Sequence, residues 1–132
     1  MHWTEIAALT AAGFGGFLGL DALINPGWAS RLVRLKPADG SVEGRSEFRA
    51  TYGGLFFLSH GFVVLALFTR QSGADLASAV IGAAWLGAGL GRIISITFDG
   101  AASSLNWVNL TVENVLGMVL FLPFLSNLGP GS

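Results

Sequence analysis

The chain has 132 residues, of which 52% are hydrophobic and 11% charged, with 19 glycines and a formal net charge of −1. A soluble domain carries about 25% charged residues, and a small one needs them on its large surface, so this composition belongs in a bilayer. The absence of basic runs excludes nucleic acid, and zero cysteines exclude disulfides, thiolate metal sites and cysteine nucleophiles.

Four apolar stretches follow in order, over about 4–24, 47–68, 76–98 and 107–126. Each has about the 20 residues that cross the hydrocarbon as a helix. Period-2 alternation is missing, and only a helix satisfies its own backbone in lipid. The expected fold is all-α: one integral membrane four-helix bundle over 1–132, up-down-up-down, with one longer basic loop between helices 1 and 2.

The first stretch lacks a basic leader, and Asp21 interrupts its end, so it reads as a retained span and not a cleaved signal. Pro26 ends it. Trp28, Leu32 and Leu35 then fall at i, i+4 and i+7 beside Arg31 and Arg34, which fits a short interfacial helix; an ordinary basic loop is the alternative. Ser41 to Ser46 reads as flexible linker, with Ser46 capping the second span. Trp3, Trp28 and Trp107 fall at span ends, where indole favours the interface, while Trp85 lies mid-span and reads as core. The final Gly129-Pro130-Gly131-Ser132 breaks helix and reads in part as a cloning remnant.

Orientation follows from the loops. Arg31, Arg34, Lys36 and Arg45 lie in the first, Arg70 in the second and no Lys or Arg in the third. The positive-inside rule then puts the first loop in the cytoplasm and both termini in the periplasm of a bacterial inner membrane.

That orientation gathers the polar residues at one depth. Arg92 lies six residues before the end of its span (92 to 98), and Glu113 lies six residues into the next (107 to 113). Charges in hydrocarbon cost several kcal/mol unless paired or wetted, so the two should meet. On helical phase Arg49, Tyr52, Gly53, Phe56 and His60 share one stripe of the second span. Asn106, Asn109, Glu113, Gly117 and Phe121 share another on the fourth. Gly15/Gly19 and Gly87/Gly91 have the small-xxx-small spacing of close helix contacts. His60 reads as a hydrogen-bonded packing residue, and with His2 as its only fellow histidine no metal site is expected.

No catalytic set emerges. Gly13-Phe14-Gly15-Gly16 lies inside a span rather than after a strand, and the neighbours Ser59 and His60 point about 100° apart on a helix. No catalytic residue, cofactor or metal is assigned.

Glu47-Phe48-Arg49-Ala50-Thr51-Tyr52-Gly53-Gly54, Gly89-Leu90-Gly91-Arg92, Asp99-Gly100 and Glu113 with Gly117 together resemble a bacterial family of small four-span membrane proteins, DUF4345. The resemblance covers nearly the whole chain and implies four helices in a membrane. It brings no activity, but it implies that Glu47, Arg49, Tyr52, Arg92, Asp99 and Glu113 belong together.

Two functions stay open. In the first, a charged pocket near the cytoplasmic leaflet binds a lipid-like or small anionic ligand. Arg49 and Arg92 hold the anion, Tyr52 and Asn109 orient it, and Glu113 fixes the arginines, with Asp21, Glu47, His60 and Asp99 in support. In the second, the chain is an accessory subunit of a larger membrane complex, and its ion pairs, Arg92 with Glu113 and Arg49 with Asp21 or Glu113, are structural. Membrane lipids are the expected partners, with a homo-oligomer or larger complex open and nucleic acid excluded.

Overall fold

A computed structural model describes residues 1–38 and 41–128 of the chain. Among them there is no strand, and four helical stretches are long and apolar enough to span a membrane: Trp3–Ile24, Val42–Phe68, Ala74–Phe98 and Ser104–Ser126. We label the elements α1 (Trp3–Ile24), α2 (Pro26–Val33), α3 (Val42–Glu47), a π-helical segment (Phe48–Leu55), α4 (Phe56–Phe68), α5 (Ala74–Phe98) and α6 (Ser104–Ser126). The all-α, four-span reading therefore holds. The expected Gly129–Ser132 break lies outside the described residues.

Helix ends follow local chemistry. Glu5 accepts from the His2 backbone N–H at 2.7 Å, which satisfies a free amide at the start of α1. Asn25 caps α2 by accepting from Trp28 N–H at 3.0 Å, and Pro26 occupies the first helical position, where its missing N–H is harmless. The expected short helix after Pro26 is thus present.

The start of the second span is a correction. Ser41, not Ser46, is the N-cap: its hydroxyl accepts from Gly44 N–H at 2.9 Å, and helix begins at Val42. The stretch read as flexible linker is therefore a helical turn. Both serines suit a cap and each would put a glutamate in the first turn; with Ser41 as cap that residue is Glu43, where the helix dipole favours an anion.

Two helix ends carry an unusual residue. After α2, Arg34 N–H bonds to Arg31 O and Leu35 N–H to Ser30 O; after α4, Arg70 N–H bonds to Leu67 O and Gln71 N–H to Ala66 O. Both are Schellman closures, which call for a left-handed residue, normally glycine. Here the positions hold Arg34 (φ 56°) and Arg70 (φ 53°).

The chain forms two compact packing units, one of Met1–Ala11 with the chain from Ala66 onward, the other Ala12–Leu65. In the first, α5 and α6 run antiparallel along a seam of small residues. A Cβ on Gly82 would lie 2.8 Å from Gly117 O, and one on Gly117 would lie 3.0 Å from Gly82 O. That contact needs glycine on both helices. Buried Ser78 donates to Leu120 O at 2.7 Å beside it, three residues before the buried Pro123.

In the second unit, α1 meets the π segment and α4 along Gly15, Gly19 and Leu23. The His60 ring closes on Gly15, a Cβ on Gly19 would lie 2.9 Å from the Phe56 carbonyl carbon, and one on Gly53 would lie 2.9 Å from Leu23 N. Ala22, Ala29 and Phe48 form a small core there, with Trp28, Val33 and Tyr52 packed against it. The Gly15/Gly19 spacing thus marks a true helix contact. Gly87 and Gly91 do not: a Cβ at either would meet nothing within 4 Å.

Candidate functional site

The strongest polar cluster joins α5 and α6. Arg92 Nε donates to Glu113 Oε2 at 2.9 Å and Nη2 to Oε1 at 2.5 Å, a two-pronged pairing that matches guanidinium to carboxylate. Nη1 donates to Asn106 Oδ1 at 2.9 Å, and Asn106 Nδ2 donates onward to Ala101 O at 2.7 Å. Among the described residues this is the one ion pair. Glu113 is 7% exposed.

The equal depth of the two charges in sequence is what brings them together. Asn106 and Glu113 share a face of α6 two turns apart, and both reach the same arginine. The sequence placed Asn106 on that stripe yet favoured Asn109 for the site. Arg92 bonds instead to Asn106, whose position at the start of α6 lets its amide tie the arginine to the preceding loop. Asn109 is half-buried and outside the Arg92 hydrogen bonds. Asn114 was passed over as well: it fills the space beside Gly89 and bonds back to Leu110 O at 2.8 Å.

The second polar region lies in the other unit, on the π segment. Here Arg49 Nη1 donates to Leu23 O at the end of α1, so the expected pairing of Arg49 with Asp21 or Glu113 is replaced by a carbonyl contact. The last carbonyls of a helix lack intrahelical donors and carry its negative dipole end, which gives a guanidinium a partner without a carboxylate. Asp21 is half-buried, and its backbone carbonyl accepts from Asn25 N–H at 2.7 Å. Tyr52 stacks on Phe48 with ring centroids 5.3 Å apart, and Glu47 accepts from Thr51.

The π geometry alters the phase argument for this stripe. A π turn closes i to i+5, so each residue advances roughly 80° rather than 100°. Arg49 and Tyr52 therefore turn away from the α-helical line that led to His60. His60 is buried in α4, donates through Nδ1 to Phe56 O at 2.8 Å, and stacks on the Phe56 ring at 5.2 Å. Asp99 is exposed and caps the C-terminus of α5, its N–H bonding Ser95 O at 2.9 Å.

Four membrane-length helices with an intramembrane ion pair define a small multi-pass membrane protein. Residues 3–124 match the family described as Domain of unknown function (DUF4345), and the chain belongs to that family. No curated protein matches the chain, and no solved structure matches it either.

Proposed function

We propose that this protein binds anionic lipid, or a lipid-like anion, at the membrane face that carries α2 and α3. The carrying observation is Arg49, whose guanidinium is exposed yet anchored through one nitrogen to Leu23 O. An arginine so positioned presents its remaining N–H groups in a fixed direction, with less entropy to lose on binding phosphate. Arg31, Arg34, Lys36 and Arg45 add to the same face, each worth about 1 kcal/mol against an anionic leaflet. Tyr52 orients the bound group from the π segment, a geometry that recurs at functional sites. Arg92 and Glu113, bonded to one another, keep α5 and α6 fixed together with Asn106, and Asn109 lies on the same helical stripe of α6 as Glu113. The basic count assigns this face to the cytoplasmic side of a bacterial inner membrane, with the termini periplasmic.

The test is thermal stability in nanodiscs of phosphatidylcholine with or without phosphatidylglycerol. A rise in Tm with the anionic lipid, weakened by salt and reduced in Arg49→Gln, supports the reading. Identical melting in both lipids overturns it.

A second reading, an accessory subunit of a larger complex, draws on Ala83, Gly87 and Gly91. These recur every four residues of α5, are exposed, and leave open space at both glycines. Under it, Gly87→Leu keeps the isolated chain folded but abolishes a crosslinked partner recovered from native membranes.

A further inference from the structure

At the other end of α1 the first packing unit holds a depression of about 360 Å³, within the range of small-molecule sites. Its walls come from the start of α1, the turn between α4 and α5, and the end of α6. Leu67, Ala74 and Pro123 give it an apolar floor, all three buried. Glu5, Arg70 and Asp75 bring charge of both signs to its wall.

Arg70 is the informative residue. It sits in the left-handed position of the Schellman turn after α4, with φ 53°, where a side chain costs about 1 kcal/mol relative to glycine. Its side chain makes no hydrogen bond or ion pair among the described residues, so nothing within the fold offsets that strain. Backbone strain retained without a structural return marks a functional position.

Each carboxylate is held through one oxygen. Glu5 Oε2 accepts from the His2 backbone N–H at 2.7 Å, a bond spent on the start of α1. Asp75, in the first turn of α5, accepts from Asn127 Nδ2 at 3.2 Å through one oxygen, and Oδ1 has no partner among the described residues. The pocket therefore offers a guanidinium with all its donors available and a carboxylate with one oxygen available, above an apolar floor.

We propose that this pocket binds a primary-amine zwitterion, Arg70 taking its phosphate or carboxylate and Asp75 its ammonium. A guanidinium suits an oxyanion because its N–H groups form a planar fork, and an ammonium offers three donors to a carboxylate. A trimethylated amine offers none and is excluded by the same logic. The ligand is either the ethanolamine headgroup of a lipid or a free aminophosphate, and the site is independent of Arg49.

The test uses the full chain in phosphatidylcholine nanodiscs, in nanodiscs containing phosphatidylethanolamine, and in phosphatidylcholine nanodiscs with soluble phosphoethanolamine added. Ligand at about ten times its Kd raises Tm by about 4 °C for a domain of this size. The expected result is that rise with phosphatidylethanolamine, lost in both Arg70→Gly and Asp75→Asn. A rise with soluble phosphoethanolamine alone, lost in the same variants, assigns the free ligand and also supports the site. Because glycine suits the left-handed turn, Arg70→Gly should melt at or above the wild-type Tm in plain phosphatidylcholine, which separates lost binding from lost folding. No rise with either amine overturns the proposal. So does a rise that survives Arg70→Gly.

Discussion

Arg92 and Arg49 show two ways of placing a guanidinium in a membrane protein. Arg92 lies inside a span, and all three of its nitrogens are bonded, two to a buried carboxylate and one to an amide. Arg49 lies near the start of its span, is exposed, and bonds through one nitrogen to the carbonyl end of a helix. Depth makes the difference. Away from water a charge needs a full counter-charge; near the headgroups, half a unit of dipole suffices. The deep arginine is thus committed to Glu113 and Asn106, and the shallow one keeps donors to spare.

The sharpest way to break that contrast is to remove one member of the deep pair. Glu113→Gln leaves Arg92 without its anion and should destabilise the solubilised protein by about 3 kcal/mol, read from thermal or denaturant unfolding. Arg92→Gln in the same chain should restore part of the loss, and strictly additive effects would show that the two are uncoupled. Next in size, Gly82→Ala puts a methyl against the backbone of Gly117 and should cost about 2 kcal/mol by the same measurement. Asn106→Ala removes the third Arg92 bond and should cost roughly 1.5 kcal/mol, since the Glu113 pairing survives. Arg49→Gln should cost less than about 1 kcal/mol. A loss as large as that of Glu113→Gln would mean that Arg49 too is a structural charge.

Much of this architecture is legible in the sequence because lipid imposes simple rules. Helix length, apolar composition and the six-residue offsets of Arg92 and Glu113 follow from rise per residue and the cost of a lone charge. Two kinds of feature were not legible. Small-xxx-small spacing identifies glycines that permit a contact but not those that make one, so Gly15/Gly19 and Gly87/Gly91 look alike although only the first pair is packed. The π segment also lacks a sequence signal: Phe48–Leu55 has no proline, and its glycines suit an α-helix in a membrane equally well. Phase arguments across it therefore mislead, while those confined to α5 and α6 hold. The bond from Arg92 to Asn106 was not legible for a related reason, because a side chain in a first turn can tie to the preceding loop, which helical phase alone does not reveal.

The π segment also changes how chain length should be understood here. In an α-helix that crosses a membrane, losing one residue rotates everything beyond it by about 100° and misplaces every downstream contact. Phe48–Leu55 holds, in effect, one residue of slack wound into a wide turn. A chain one residue shorter between Glu47 and Phe56 would close that turn to ordinary pitch and leave the Gly19–Phe56 and Gly15–His60 contacts in register. Natural length variation within this span should therefore concentrate in these eight residues, and where it does, the direction of Arg49 will change while the helix crossing does not.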